Sequence, residues 1–389
     1  MEVRYLIKIG EIALKGGNRR LFEKQLRLNI ERKLKGYKPS VRGAAGRHYL
    51  FVENADEKTI STALSRTFGI TAFSRVFYCE KDINAVSDSA VEICRDLLKN
   101  NSGKKFKINS RRADKSFPLN SYEISCAVGD RLLKEFPELK VKLENPDWAI
   151  NIEIREKAIL YSNEKKGPGG LPVGTAGRGL LLLSGGIDSP AAGYLMAKRG
   201  LKIDSIYFHT YPYTSDEAKN KVVSLAEKLT PFTEGKKLFI VPFTELQIKI
   251  KEKANPGEIT LLSRACMVKI SEIIARKNSI SCMITGESLS QVASQTVSGM
   301  QFTGNATNMI IFRPLAGMDK EEIIKIAKQI DTFETSILPY DDCCTVFAPE
   351  HPLINPDLAR MNESFENLGI EELLQQTAEK TEIHTCGNR

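Results

Sequence analysis

Hydrophobic positions follow two different patterns along the chain, and the change between them divides it into two parts. In the first part, short alternating stretches typical of half-buried strands are separated by stretches with one apolar helical face. Val3–Ile9 predicts the opening strand. The stretch after it predicts a helix, because its apolar residues recur every four positions and would form one core-facing side. These residues are Phe22, Leu26, Ile30 and Leu34.

Two further strand candidates, near Val41 and at His48–Val52, give a β-α-β-β succession. This succession predicts an α+β unit of ferredoxin-like topology over residues 1–57. A second α+β segment is predicted over residues 58–163. Its strand candidates are Ala72–Tyr78, Lys105–Asn109, Ala149–Ile154 and Ala158–Tyr161, and its helix candidates are Val86–Leu98 and Tyr122–Phe136.

The segment 164–179 is rich in glycine and proline and predicts a linker. Over residues 180–389 the strand candidates are unbroken apolar runs, typical of a parallel sheet that is buried on both faces. Helical stretches separate these runs, so the predicted fold class is α/β with a doubly wound, mainly parallel sheet. Asp319 and Glu322 have the spacing of a capping box that opens one of the helices. The apolar runs are Leu180–Leu183, Ile203–Phe208, Leu238–Val241 and Cys282–Ile284.

The first of these apolar runs leads into SGGIDSP, a polar turn followed by the start of a helix. Backbone N–H groups in such a turn, together with the helix N-terminus, can bind an anion. The spacing matches neither the GxxxxGK[ST] phosphate loop nor the GxGxxG dinucleotide fingerprint. It resembles the SGGxDS signature of the PP-loop ATP pyrophosphatases, which implies that ATP is split between its α- and β-phosphates. An ordinary Gly-Gly turn between strand and helix is the alternative.

Composition narrows the classes of protein to which the chain can belong. Its 389 residues, 42% hydrophobic and 27% charged, are typical of a globular protein with more than one domain. The net charge of +8 favours a polyanionic partner. No apolar run approaches the roughly 18 residues of a membrane span, and the first residues lack a signal-peptide core. We therefore expect a cytoplasmic protein without a membrane partner.

The eight cysteines suit neither a disulfide framework nor a zinc site, because the sequence has no CxxC pair and no convincing His/Cys cluster. No metal-binding residues are therefore predicted. Only Cys343 and Cys344 are adjacent, in a predicted loop where a thiolate could serve as a sulfur nucleophile. Two buried structural cysteines are the alternative there. Most of the others are expected to be small core residues; they are Cys79, Cys94, Cys126, Cys266, Cys282 and Cys386.

The run KKFKINSRRADK in the first part has six basic residues and one acidic residue. Such a run beside a strand, with Phe106 and Phe117 nearby, suits contact with the phosphates and sugars of a nucleic acid. A solvated charged surface is the alternative. The longer run SRRADKSFPLNSYEIS resembles the THUMP domain, which implies RNA binding. The predicted RNA-binding residues are Lys104, Lys105, Lys107, Arg111, Arg112 and Lys115.

Seven motifs together resemble the ThiI family of tRNA 4-thiouridine synthetases: GEIALKGGNR, SGGIDSP, YFHTYPYTS, SRACMVKI, TGESLSQVASQT, RPLAGMDKEEI and YDDCCTVFAPEHP. The resemblance covers nearly the whole chain. It implies an ATP-dependent tRNA sulfurtransferase, which adenylates O4 of a tRNA uridine, usually at position 8, with loss of pyrophosphate. A persulfide sulfur then attacks C4 and expels AMP.

The same resemblance implies residue roles. Asp188, Lys320, Cys343 and Cys344 would be catalytic, with Cys343 the better match to the family's reactive cysteine. The carboxylate of Asp188 is better suited to bind a metal ion that bridges to the phosphates than to contact a phosphate directly. Mg²⁺ is therefore expected with ATP at Asp188. Arg264 and Lys320 are available as cations for the phosphates. The implied ATP-binding residues are Leu182, Leu183, Ser184, Gly185, Gly186, Asp188, Ser189, Tyr207, Phe208, Arg264, Gly286 and Gln295.

Longer family members carry a C-terminal rhodanese-like domain with its own persulfide cysteine, which has no counterpart before Arg389. Sulfur is therefore expected from a cysteine desulfurase, a separate carrier or sulfide, and a role in thiamine synthesis becomes doubtful. Cys386 is expected in a frayed tail, with a relay thiol as the alternative. A homodimer in which one subunit holds tRNA for the other is a further expectation.

Three alternatives stay open. The first is an iron–sulfur cluster on Cys343, Cys344 and a third cysteine, although adjacent cysteines match the usual ferredoxin spacings poorly. The second is a PP-loop enzyme that adenylates tRNA and then uses a nucleophile other than sulfur. The third is a non-catalytic RNA-binding or sulfur-carrier protein.

Overall fold

The structure is a computed structural model that describes residues 2–44, 47–99, 102–162, 164–340, 347 and 349–387. The chain forms two compact units, Met1–Gly170 and Leu171–Arg389. Within the described ranges, no helix is both long and apolar enough to cross a membrane.

The first unit has an α+β fold. Its strands are β1 (Glu2–Ile9), β2 (Ser40–Ala44), β3 (Arg47–Glu53), β4 (Ile70–Cys79), β5 (Lys105–Arg112), β6 (Lys140–Val141), β7 (Trp148–Ile154), β8 (Ala158–Ser162) and β9 (Lys165–Lys166). Its helices are α1 (Arg19–Lys33), α2 (Glu57–Ser65), α3 (Ile83–Lys99) and α4 (Ser121–Glu135).

In the described residues, these strands form one sheet in the order β2-β3-β1-β4-β8-β7-β5-β6, with β9 also paired to β4. The first four strands are antiparallel, and the succession β1-α1-β2-β3-α2-β4 is ferredoxin-like. Helix α2 begins at Glu57 and β4 at Ile70, so this succession continues past residue 57, after which the sequence predicts a boundary. The periodicity of α1 is confirmed at Leu26, Ile30 and Leu34, which are buried, while Phe22 is half-buried.

In the rest of this unit, β5 pairs in parallel with β7 and β6, whereas β8 runs antiparallel to β7 and β4. Helices α3 and α4 share a core with these strands, in which the rings of Phe106 and Trp148 stack 5.2 Å apart. Helix α4 begins after Asn120, whose side chain accepts hydrogen bonds from the first turn, and Glu123 bonds back to the Asn120 N–H.

The second unit has an α/β fold. Its strands are β10 (Arg178–Leu182), β11 (Lys202–His209), β12 (Glu234–Pro242), β13 (Cys282–Ile284), β14 (Ile310–Phe312) and β15 (Glu382–Thr385). Its helices are α5 (Asp188–Lys198), α6 (Asp216–Thr233), α7 (Thr244–Lys253), α8 (Ile259–Lys277), α9 (Val297–Asn305), α10 (Lys320–Gln329), α11 (Phe333–Ser336), α12 (Leu358–Asn367) and α13 (Glu371–Glu379).

The sheet of the second unit has the order β14-β13-β10-β11-β12-β15 in the described residues. All neighbouring pairs are parallel except β12 and β15, so the predicted doubly wound, mainly parallel sheet is confirmed. Leu180 and Leu181 of the central strand are fully buried, as the apolar run predicts. The capping box of Asp319 and Glu322 is also confirmed at the start of α10. Because these strands are parallel, the residues after β10, β11, β13 and β14 meet at one edge of the sheet.

The segment predicted as a linker contains regular structure at both ends. Lys165–Lys166 pairs with β4 in the first unit, and β10 starts at Arg178, two residues before the leucine run. Leu171 and Val173 are buried within the second unit.

The expectation of a frayed tail is wrong over residues 382–386. Strand β15 pairs with β12, and the N–H of Cys386 donates to the carbonyl of Lys236 at 2.8 Å. The Cys386 side chain is only 2% exposed. The open edge of β12 supplies backbone partners that a short polar segment can use without an apolar pattern of its own.

Candidate functional site

The turn between β10 and α5 is closed by its two serines. The Ser184 N–H donates to Oγ of Ser189 at 2.9 Å, and the two hydroxyls lie 3.1 Å apart. The N–H of Gly186 donates to Oγ of Ser184 at 3.3 Å. Helix α5 begins at Asp188, two residues before Pro190. Its N-terminus therefore follows the carboxyl end of β10 after a turn of five residues. The first N–H groups of a helix have no partner within the helix and favour an anion.

Gly286, which follows β13, approaches this turn so closely that no side chain would fit. A Cβ atom at Gly286 would lie 2.6 Å from the backbone nitrogen of Ser189 and 2.9 Å from the carbonyl carbon of Asp188. Backbone atoms cannot move aside as a flexible side chain can, so the close approach requires glycine.

Asp188 is held from two sides. Its Oδ1 lies 2.6 Å from Nζ of Lys320, the first residue of α10. Its Oδ2 accepts a hydrogen bond of 2.8 Å from Nε2 of Gln291. The structure thus brings together Asp188 and Lys320, which are 132 residues apart in the chain. Gln291 was not predicted, although it lies within the motif TGESLSQVASQT.

Glu287 lies between two arginines at the same edge of the sheet. Its Oε1 is 2.7 Å from Nη2 of Arg264 on α8, and its Oε2 is 2.7 Å from Nε of Arg313, which follows β14. The hydroxyl of Thr285 donates to Oε2 at 2.8 Å. Arg264 also donates to Oγ of Ser294 at 2.8 Å.

The charge state of this group follows from its surroundings. Burial alone would raise the pKa of Glu287, which is only 3% exposed. The charges of Arg264 and Arg313, with the hydrogen bond from Thr285, outweigh burial and hold the pKa of Glu287 below its ordinary value. Two guanidinium groups and one carboxylate leave one surplus positive charge, which suits an anionic ligand.

A cavity of about 300 Å³ opens between these elements, within the size range of small-molecule sites. Gly185 and Gly186 lie in the turn beside the cavity. Lys320 is paired with Asp188, which lines the cavity. The residues Thr285, Glu287, Ser294 and Arg313 line it but were not predicted. The sequence features that could have identified them are the polar cluster after β13 and the arginine after β14. The predicted residues that line it are Leu182, Leu183, Ser184, Asp188, Ser189, Tyr207, Phe208, Arg264, Gly286 and Gln295.

Cys343 and Cys344 lie outside the described residues, so their predicted roles stay predictions. Among the described residues, no group of three or more His, Cys, Asp or Glu side chains could hold a metal ion. The described cysteines are mostly core residues, as expected, with Cys126 exposed and Cys79 half-buried. Burial raises the pKa of Cys266 to about 12 and the pKa values of Cys282 and Cys386 to about 11.

The predicted RNA-binding run lies on and beside β5. Lys105, Lys107 and Arg111 share one face of this strand, because side chains alternate along it. Arg112 belongs to the other face and donates from Nη1 to the carbonyl of Phe117 at 3.1 Å. Lys104 and Lys115 are exposed.

Phe106 and Phe117, which the sequence placed near the basic run, are 0% and 4% exposed. Their rings are part of the core and present no surface on which a base could stack.

The SGGIDSP turn and the cavity at the carboxyl ends of parallel strands define an α/β nucleotide-binding protein of the PP-loop class. The family model described as thiamine biosynthesis protein (ThiI) matches residues 174–370. Models of the ThiI ferredoxin-like domain and of the THUMP domain match residues 4–74 and 80–163. The chain belongs to the ThiI family, as its motifs predict.

Relatives match over nearly the whole chain. A probable tRNA sulfurtransferase of Acetivibrio thermocellus is 43% identical over 383 residues, which cover 98% of each chain. A probable tRNA sulfurtransferase of Agathobacter rectalis is 45% identical over 386 residues, covering 97% of this chain and 98% of its own.

Two solved structures share the fold. A crystal structure of a 4-thiouridine synthetase–RNA complex with bound ATP has a TM-score of 0.91 and 34% identity, with full coverage of both chains. The structure of PH1313 from Pyrococcus horikoshii has a TM-score of 0.63 and 25% identity, and covers 85% of this chain and 99% of its own.

Proposed function

We propose that this protein is an ATP-dependent tRNA sulfurtransferase that converts a tRNA uridine, at position 8 as the family resemblance implies, to 4-thiouridine. The observation that carries the proposal is the cavity at the SGGIDSP turn, where all of the implied ATP-binding residues except Gly185 and Gly186 come together. Relatives named tRNA sulfurtransferases and a 4-thiouridine synthetase solved with RNA and ATP support the same function.

In the first step, O4 of the uridine attacks the α-phosphate of ATP and pyrophosphate leaves. Charge that develops on the pyrophosphate would be stabilised by the turn and by the N-terminus of α5. Lys320, held by Asp188 at 2.6 Å, would place a positive charge beside the phosphates. Tyr207 and Phe208, both buried in the cavity wall, would contact the adenosine.

The magnesium site is part of the proposal. Of the two acidic side chains among the described residues that line the cavity, Glu287 is paired with two arginines, whereas Asp188 has one cationic partner, Lys320, and one neutral partner, Gln291. Asp188 is therefore the better ligand. A protein site for Mg²⁺ commonly uses one or two carboxylates together with the substrate phosphates. When bound, the ion would neutralise part of the phosphate charge.

In the second step, sulfur attacks C4 of the adenylated base, and AMP leaves with the original oxygen. We propose that Cys343 carries the persulfide, whose terminal sulfur attacks C4. A thiol, from Cys344 or from an added reductant, then attacks the Cys343 sulfur, which forms a disulfide and releases 4-thiouridine. The donor of the persulfide sulfur would be a cysteine desulfurase or a separate persulfide carrier, whereas sulfide, which forms no persulfide without an oxidant, would attack C4 directly. The basic face of β5 would hold the tRNA, and a homodimer could present tRNA held by one subunit to the cavity of the other.

Mass spectrometry of tRNA after incubation with ATP and a sulfur donor tests this function. The wild-type chain is expected to give the mass of one sulfur-for-oxygen exchange and to release AMP. Asp188→Asn is expected to abolish AMP release, whereas Cys343→Ser is expected to lose product with a persulfide donor. Cys126→Ser, at an exposed cysteine of the first unit, is the control and should match wild type.

Failure of the wild-type chain to form 4-thiouridine with any of the donors would contradict the proposal. Full product formation by Cys343→Ser with a persulfide donor would contradict the role of that cysteine. An adenylated tRNA that goes on to react with an amine would favour the other PP-loop chemistry.

A further inference from the structure

A row of three aromatic rings runs from the cavity to the protein surface. Tyr207 and His209 are two residues apart in β11, so their side chains extend from the same face of the strand, and Tyr211 lies in the turn that follows it. The ring centroids of Tyr207 and His209 lie 6.0 Å apart, and those of His209 and Tyr211 lie 6.3 Å apart. Tyr207 lines the cavity.

Exposure rises along this row. Tyr207 is 2% exposed and His209 8%, whereas Tyr211 is 62% exposed. Burial lowers the pKa of His209, so the middle ring is neutral near pH 7. The row therefore ends at the surface in an uncharged aromatic ring, two rings beyond the residue in the cavity wall.

The backbone that carries Tyr211 is held in place. The N–H of Thr214 donates to the carbonyl of Thr210 at 3.0 Å, and the N–H of Thr210 donates to Oγ1 of Thr214 at 3.1 Å. The hydroxyl of Thr244 donates to the carbonyl of Tyr211 at 2.7 Å. A ligand that stacks on this ring would thus meet a preorganised surface rather than a loop that it must first order.

The reaction under the proposed function requires such a surface near the cavity. The atom that attacks the α-phosphate is on a nucleobase, and an enzyme that acts on a base within folded RNA must first take that base out of its stack. An unstacked base is commonly held on an aromatic side chain, because every base has a π-face. A charged residue at this place would instead attract phosphate.

We propose that Tyr211, two rings beyond Tyr207 of the cavity wall, is the stacking surface for the acceptor uracil, which is turned out of the tRNA fold. This inference rests on the proposed function and adds to it the residue that receives the substrate base. Stacking on Tyr211 would position O4 for attack without any contact to the phosphate backbone.

Steady-state thiolation by two variants tests the proposal. Tyr211→Phe retains the ring and is expected to match wild type. Tyr211→Leu retains apolar bulk without a π-face, and is expected to lower kcat/KM for tRNA roughly 5- to 140-fold, the range that corresponds to loss of one base–aromatic stack. The KM for ATP should stay unchanged, and so should the salt dependence of tRNA binding, because Tyr211 neutralises no phosphate. Both variants should have the melting temperature of the wild type, since the side chain of Tyr211 is mostly exposed.

Direct contact can be tested with the product. 4-Thiouridine is photoreactive, so irradiation of the wild-type protein with thiolated tRNA is expected to give a cross-linked peptide that contains Tyr211. An active wild-type chain whose Tyr211→Leu variant has an unchanged kcat/KM for tRNA would overturn this inference alone. A rise in the KM for ATP with that of tRNA unchanged would overturn it in favour of a nucleotide contact. A wild-type chain that forms no 4-thiouridine overturns the proposed function, and the inference with it.

Discussion

At the scale of single residues, Glu287 is the most consequential side chain that the motif comparison did not assign. Its two carboxylate oxygens lie 2.7 Å each from Arg264 and Arg313. Glu287→Gln would leave two half-buried guanidinium groups without their shared counterion. We expect the free energy of unfolding to fall by about 3 kcal/mol, since breaking a buried ion pair from one side leaves uncompensated charge. Urea unfolding followed by circular dichroism measures this change.

The control for this variant is Glu245→Gln. Glu245 pairs with Lys380 at 3.5 Å, with both side chains more than half exposed. Exposed ion pairs contribute at most about 1 kcal/mol, so this variant should unfold nearly as wild type does. Equal losses of stability in the two variants would contradict a special role for the buried group.

The lowered pKa of Glu287 makes the same difference depend on pH. Because the folded-state pKa lies below the ordinary value of 4.5, the stabilisation is complete above about pH 4.5 and is lost as the pH falls through the folded-state pKa. The gap in melting temperature between wild type and Glu287→Gln should therefore be constant near neutrality and should shrink below about pH 4.5. A gap that persists unchanged into strong acid would show that charge is not its cause. Melting curves at a series of pH values provide the measurement.

At the scale of elements, strand β15 determines the chemistry of Cys386. Burial raises the pKa of Cys386 to about 11, so at pH 8 only about one thiol in a thousand is ionised. We expect iodoacetamide to label Cys386 far more slowly than exposed Cys126 in the native protein, and equally fast in urea. Peptide mass mapping gives both rates in one sample. Rapid native labelling of Cys386 would restore the relay thiol as a hypothesis.

The same strand shows why some elements could not be predicted. The leucine run and the capping box of α10 carry local signals, and both predictions are confirmed. Residues 382–385 are mostly exposed and polar, and they form a strand only because β12 offers an open edge. Likewise, nothing local links Arg264 to Glu287, since Arg264 lies on α8 and Glu287 follows β13, and the two meet because α8 packs against the sheet. Tertiary contact, not local pattern, creates both features.

At the scale of the whole molecule, one sheet continues across the position at which the sequence predicts a domain boundary. The pattern of a new β-α repeat after residue 57 suggested a boundary there. In the structure, β4 pairs with β1 on one side and β8 on the other, so one sheet continues through both α+β segments. A strand shared in this way has no marker in the hydrophobic pattern. The models of the ThiI ferredoxin-like domain and of the THUMP domain match residues 4–74 and 80–163, so the first match extends beyond residue 57.

The division into two units predicts that tRNA affinity and ATP affinity can be changed separately. Lys105 and Arg111 are exposed on one face of β5 in the first unit, whereas the cavity belongs entirely to the second unit. Lys105→Ala with Arg111→Ala should raise the KM for tRNA and reduce the slope of log affinity against log salt by about one for each phosphate that is no longer neutralised. The KM for ATP should not change.

A matched double variant separates specific contact from net charge. Lys251→Ala with Lys325→Ala likewise removes two positive charges, from exposed positions on the second unit. If β5 is the RNA-binding face, this control should keep the wild-type salt slope, because long-range attraction between exposed charges is largely screened at physiological ionic strength. Equal weakening by both double variants would mean that the overall charge of +8, rather than the face of β5, attracts the tRNA. Filter binding of tRNA across a salt series distinguishes the two outcomes.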